Sequence, residues 1–149
     1  MRKIFIDGEW IDSRADDGAA VINPATEEML EMVPSGDVED VERAVAAAKR
    51  AFPAWRETTA VERAHMLHGA AAKMREHLDD LVRQLTLEEG KPVPENEEEI
   101  DWALNTLEYY AELGRHIRGR VVPSPDPGQL SLVLKEPFGV VGCIVPWNY

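Results

Sequence analysis

The sequence predicts an α/β fold on three observations. Apolar residues recur at helical spacing between residues 37 and 111. Short strand-type segments follow Gly119. Val140 to Val145 is then apolar almost throughout, interrupted only by Gly142, which reads as a strand buried on both faces, as in a parallel sheet.

The elements follow in order. Ile4, Ile6, Trp10 and Ile11 flank Asp7-Gly8, a pair that tolerates the positive φ of a tight turn, so residues 3–13 form a hairpin with one buried face. Asn23-Pro24-Ala25-Thr26 is a turn, followed by a short extended stretch from Met29 to Val33. Asp37 caps a first helix that carries Glu39 and Asp40 in its first turn. Val38, Val41, Val45, Ala48 and Phe52 form its buried stripe, and Pro53 ends it. Thr59 and Glu62 make a capping box that opens a second helix. Its stripe runs without interruption from Val61 through Ala64, Leu67, Ala71, Met74, Leu78 and Leu81 to Leu85, and Gly90 and Pro92 close it. A third helix begins in the acidic run Glu95 to Asp101 and buries Ile100, Leu104, Leu107 and Ala111. Arg120 to Pro123 and Leu130 to Lys135 are strands on either side of the loop Pro125-Asp126-Pro127-Gly128.

Composition narrows the function classes. The 149 residues are enough for one domain with a core. Sixteen basic against 28 acidic residues leave a formal charge of −12, which repels phosphate backbones and anionic lipid, so nucleic-acid and membrane roles are not expected. Cys143 is the single cysteine, so no intrachain disulfide can form and a cytoplasmic setting is expected. The N-terminus meets Asp7 too soon for the apolar stretch of a signal peptide, and no run approaches a membrane span. A lone parallel strand leaves both edges unpaired. Either further sequence completes the sheet or the 149-residue protein is not stable alone.

Several segments, in order and at family spacing, resemble the aldehyde dehydrogenase superfamily. They are Phe5-Ile6-Asp7-Gly8-Glu9-Trp10, Ile22-Asn23-Pro24-Ala25-Thr26, Trp55-Arg56, Glu62-Arg63, Leu87-Glu88-Glu89-Gly90-Lys91-Pro92, Tyr109-Tyr110-Ala111, Glu136-Pro137-Phe138-Gly139-Val140-Val141-Gly142 and Pro146-Trp147-Asn148-Tyr149. The resemblance covers nearly the whole chain and implies the N-terminal part of that fold: a β-hairpin, a three-helix region and the start of the parallel cofactor-binding sheet. Residues 1–117 would belong to the cofactor-binding domain, 118–137 to the first strands of the oligomerisation arm, and 138–149 to the strand leading into the catalytic site. It implies oxidation of an aldehyde to a carboxylic acid with NAD or NADP through a cysteine thioester, in a homo-oligomer (dimer or tetramer). The family's nucleophilic cysteine and glutamate base correspond to positions well beyond residue 149, so these residues alone are expected to be inactive. A rival reading is a helical interaction module derived from the family that lost catalysis.

By this resemblance Asn148 is the catalytic oxyanion-hole donor, for which a neutral amide N–H is suited; without it, Asn148 reads as the cap of a strand end. Ile144, Val145, Pro146, Trp147 and Asn148 line the nicotinamide side of the cofactor site. Trp102 stands about 200° from Ile100 around its helix and shares that side with Tyr109. The resemblance puts Trp102 at the substrate entrance and Tyr149 deeper in the tunnel; the alternative for Trp102 is packing against a neighbouring helix. Glu88 and Glu89 sit in a last helical turn, where the dipole disfavours anions. The family often holds a structural monovalent cation there, with Glu88 and the carbonyls of Val21 and Ile22 as ligands; solvation together with pairing to Lys91 is the other reading. His65 and His68 have metal-ligand spacing but no further ligand in sight. Cys143 reads as a buried small hydrophobe and is not expected to be the nucleophile.

Overall fold

The computed structural model describes residues 2–146. Within them lie three antiparallel strand pairs and four α-helices. The first hairpin pairs β1 (Ile4–Ile6) with β2 (Glu9–Ile11). Its turn has positive φ at both Asp7 (57°) and Gly8 (83°), the twist the Asp-Gly pair supplies. Phe5 and Trp10 are cross-strand partners with ring centroids 5.2 Å apart, and both are exposed; Ile4, Ile6 and Ile11 form the half-buried face.

β3 (Gly18–Ile22) pairs with β4 (Met29–Pro34), and the register shifts between Val21 and Ile22. The sequence reading had no β3, because Gly18-Ala19-Ala20 has little strand propensity and only pairing with β4 makes it one. Between the strands, the buried Asn23 folds the chain: its Oδ1 accepts from the Ala25 N–H at 2.9 Å and its carbonyl accepts from Glu27 N–H at 2.8 Å.

α1 (Val38–Glu57) begins at Asp37, whose carboxylate accepts from the Asp40 N–H at 2.8 Å in a capping box. Two expectations fail here. Pro53 does not end the helix, which continues for another turn until Thr58 donates its hydroxyl to the Trp55 carbonyl at 2.6 Å. Proline removes one ladder bond, but the actual stop is the pair of threonines that follows. Nor is the valine stripe buried: Val38 is 74% and Val41 62% exposed. The face that meets the first hairpin is instead Ala44, Ala47, Ala48 and Ala51, small enough for close approach of strand and helix, and Arg50 pairs with Asp7 across it at 2.8 Å.

α2 (Ala60–Glu76) opens with the Thr59–Glu62 capping box. The expected continuous helix to Gly90 is broken at His77, where φ −113° and ψ 20° depart from helical values, and α3 (Leu78–Glu89) begins after it. Periodicity could not show the break, because Met74, Leu78, Leu81 and Leu85 all still face the same core. That core is Ala71, Val82, Ile100 and Leu104, with Leu107 beside it. α4 (Val93–Leu113) starts ahead of the acidic run, with Pro94 in its first turn, where its missing N–H costs nothing. Ile100, Leu104 and Ala111 are buried as their spacing predicts.

A 3₁₀ turn (Gly114–His116) leads to β5 (Arg120–Val122) and β6 (Ser131–Val133), an antiparallel pair with exposed side chains on both faces. Residues 140–145 form no strand, and the described residues contain no parallel pairing. Ile144 is fully exposed and Val145 is 78% exposed. Buried-strand composition needs neighbouring strands to be realised, and none stands beside this segment among the described residues.

Candidate active-site and cation-site residues

At the carboxyl end of α3, Gly90 adopts φ 74° and donates its N–H to the Thr86 carbonyl at 3.0 Å, a left-handed helix stop. A Cβ there would lie 2.5 Å from Pro24 Cγ, so the Asn23-Pro24 turn is pressed directly against the helix end. This contact brings β3 and β4 to α3. Between them lies a cavity of about 460 Å³ whose lining includes both Val21 and Glu88, together with Arg2, Glu31, Asp80 and Arg83. Ile22 does not line it and is half exposed. The structure thus brings together two of the three residues expected to hold a cation.

The two glutamates divide. Glu88 is exposed and accepts from Gln84 Nε2 at 2.8 Å. Glu89 is the one beside Lys91, at 3.6 Å, with both side chains largely buried, and Lys91 also pairs with Glu99. Solvation thus falls to Glu88 and the pairing with Lys91 to Glu89. Asn96, fully buried behind them, donates its amide to Thr86 Oγ1 at 2.9 Å and to the Lys91 carbonyl at 3.2 Å, which fixes the α3–α4 connection. Asp80, Arg83 and Asn96 were not singled out from the sequence. Asp80, Arg83 and Leu87 do recur at helical spacing, a signal that they share one face.

Trp102 is 63% exposed on the side of α4 opposite the core, as its angular position predicts, and Tyr109 is 62% exposed there. With Asn105, Thr106 and Tyr110 they line an open cavity of about 440 Å³. Tyr109 and Tyr110 meet edge to face at 5.3 Å.

Cys143 is exposed, which corrects its reading as a buried hydrophobe, for the same lack of strand neighbours that exposes Ile144. Among the described residues, His65 and His68 gather no further metal ligand. His68 Nε2 lies 2.9 Å from Glu112 Oε1, and among the described residues no group of three His, Cys, Asp or Glu side chains is placed to hold a metal ion. Pro146 is described and exposed. Trp147, Asn148 and Tyr149 lie outside the described residues.

Four carboxylates among the described residues, Asp40, Glu62, Glu108 and Glu112, are lowered by their hydrogen-bond partners. Ser13 Oγ donates to Asp40 Oδ2 at 2.6 Å and this bond is the main reason that carboxyl is lowered; burial opposes it, and the Arg14 N–H at 3.0 Å adds to it. Glu108 is lowered chiefly by Arg75, which donates to it from α2 at 2.6 Å.

The family profile for aldehyde dehydrogenases matches residues 10–149, and the chain belongs to that family. It is 40% identical to the NADP-dependent succinate-semialdehyde dehydrogenase of Escherichia coli over 148 residues, 99% of this chain and 31% of that protein. It is 36% identical to the betaine aldehyde dehydrogenase of Bacillus subtilis, over 98% of this chain and 30% of that one. Among solved structures, the Staphylococcus aureus betaine aldehyde dehydrogenase in complex with NAD+ superposes with a TM-score of 0.91 at 38% identity, covering 99% of this chain and 30% of that chain. The Burkholderia pseudomallei succinate-semialdehyde dehydrogenase gives 0.88 at 37%, over 93% and 29%. The chain therefore spans under a third of the length of the relatives it matches. Among the described residues no helix is long and apolar enough to cross a membrane.

Proposed function

We propose that these residues serve an NAD- or NADP-dependent enzyme that oxidises an aldehyde to a carboxylic acid through a cysteine thioester. The observation that carries the reading is the superposition over 99% of the chain on an aldehyde dehydrogenase crystallised with NAD+. The bound nicotinamide would accept hydride from the substrate carbon.

The chain's own part is positioning and charge stabilisation. Ile144, Val145 and Pro146 are exposed apolar residues of the kind that pack on a nicotinamide ring, and with Trp147 and Asn148 they would form that side of the cofactor site. Asn148 would donate its amide N–H to the carbonyl oxygen as a thiolate adds, holding the developing negative charge without protonating it. Trp102 would stand at the substrate entrance and Tyr149 deeper in the tunnel. The aromatic surface that Trp102 shares with Tyr109 fits the entrance reading. The same cysteine chemistry excludes Cys143, which stands in an apolar segment remote from His or Lys in sequence, so the 149 residues by themselves oxidise no aldehyde.

Two further roles rest on the same membership. The cavity shared by Val21 and Glu88 supports the Glu88 carboxylate and the Val21 carbonyl as ligands of a structural monovalent cation, to which the Ile22 carbonyl, from outside the lining, would add a third. The register shift between those two residues interrupts the strand ladder where the carbonyls would be drawn from. Residues 118–137, bearing β5 and β6 with exposed Val121, Leu132 and Leu134, would act as the arm that pairs with another subunit. The test of the enzyme reading is a chimera in which residues 1–149 replace the matching part of the E. coli relative. Aldehyde-dependent NADPH formation is expected; a folded chimera that binds NADP and forms none would overturn the proposal.

A further inference from the structure

A further cavity, away from both the Val21–Glu88 and the Trp102–Tyr109 cavities, carries a positive charge. It measures about 450 Å³ and lies where the end of α1, the start of α2 and the segment after β6 meet. Trp55, Arg56, Arg63, Ile117, Lys135 and Glu136 are among the residues lining it. Three cations against one acid give the wall a net positive charge in a chain whose overall charge is −12.

Several basic side chains elsewhere are matched to acids, Arg14 with Glu39, Arg50 with Asp7, Lys73 with Glu76 and Arg75 with Glu108, whereas the three that line this cavity are not. Among the described residues, neither Arg56 nor Lys135 makes an ion pair or a side-chain hydrogen bond, although acids outnumber bases almost two to one. Arg63 uses Nη1 on the carbonyl and hydroxyl of Thr58, which fixes its guanidinium and leaves its other N–H groups for a further acceptor.

We propose that this cavity binds the phosphoryl group of a small molecule. The wall's charge, three positive against one negative, balances a phosphate dianion. Arginine's fork of N–H donors suits its oxygens. The volume falls within the range of about 300–1,000 Å³ usual for small-ligand sites. The Trp55 indole, 43% exposed, offers an apolar surface for the rest of such a ligand.

The experiment is a titration of the ¹⁵N-labelled chain with inorganic phosphate at constant ionic strength, with potassium chloride as the balancing salt. The Trp55 indole N–H signal, identified by its loss in Trp55→Phe, should shift and saturate. Arg56→Gln/Lys135→Gln keeps polar side chains at two exposed positions and removes both charges. It should weaken phosphate binding by about tenfold or more per cation removed, while the rest of the spectrum is unchanged. A shift that never saturates, one reproduced by chloride alone, or undiminished affinity in the double variant would overturn the assignment.

Discussion

Replacing Gly90 by alanine tests the contact on which the Val21–Glu88 cavity depends. Two costs are readable from the structure. A residue with a Cβ at φ 74° is held in the left-handed region, at about 1–2 kcal/mol. The new Cβ would also stand 2.5 Å from Pro24 Cγ, where ordinary contacts begin at 3.4 Å, so turn and helix end must separate by about that 1 Å difference. Overpacking of this kind typically costs about 1–3 kcal/mol. Gly90→Ala should therefore lose about 2–5 kcal/mol, a large part of the about 5–15 kcal/mol available to a domain. Pro24→Ala removes Cγ and leaves Cβ at 3.5 Å, an ordinary contact. The double variant should then retain only the backbone cost, with a coupling of about 1–3 kcal/mol between the sites. Urea unfolding of the wild type and three variants, followed by far-ultraviolet circular dichroism, measures it. Strict additivity, with Gly90→Ala no cheaper in the Pro24→Ala background, would refute the direct contact.

Other outcomes follow from the same structure. The carboxyl of Asp40 is lowered in the folded state by its bonds from Ser13 and Arg14, so its stabilising effect is present above the ordinary carboxylate range and is lost as pH falls through the lowered folded value. Asp40→Asn should flatten the acid limb of the stability curve in urea melts at successive pH values, and an unchanged limb would contradict the Ser13–Asp40 account. Leu104, 3% exposed in the core, should cost about 2–5 kcal/mol as alanine, read as a lower urea midpoint with unchanged slope. The exposed β5–β6 pair should make the chain self-associate at high concentration in light scattering, and Val121→Lys with Leu132→Lys should restore a monomer. In the chimera, Glu88→Gln should abolish any stabilisation by potassium over a larger organic cation; equal melting of both proteins in the two salts would remove the cation reading.

Local signals carried much of this fold. The α4 stripe Ile100, Leu104 and Ala111, the Thr59 cap, the Asp7-Gly8 turn and the outward Trp102 all depend on residues within a few positions of one another, and each is where its spacing puts it. What was illegible depends on distant partners. Asp40 is buried by Ser13 and Arg14 from another part of the chain, and Pro24 meets Gly90 across more than sixty residues of sequence. The His77 break leaves no trace because the apolar period continues through it. Val38 and Val41 were placed inside by their periodicity, yet the alanine face lies nearer the hairpin. Val140 to Val145 has the composition of a buried strand, but composition alone supplies no neighbours. For the site, the co-lining of one cavity by Val21 and Glu88 follows the family correspondence, whereas Arg83 and Asp80 emerged only from the structure.

Single-turnover acylation in the chimera probes the proposed role of Asn148 as the oxyanion donor. An amide N–H aimed at a developing oxyanion is typically worth about 2.7–4 kcal/mol, or about 100- to 1,000-fold in rate. Asn148→Ala should slow acylation by about that factor, with NADP affinity and thermal midpoint nearly unchanged. Asn148→Asp, which sets a negative charge against the oxyanion, should be slower still. Normal acylation in Asn148→Ala, accompanied by a loss of about 1 kcal/mol in stability, would show that this asparagine only caps the end of a strand.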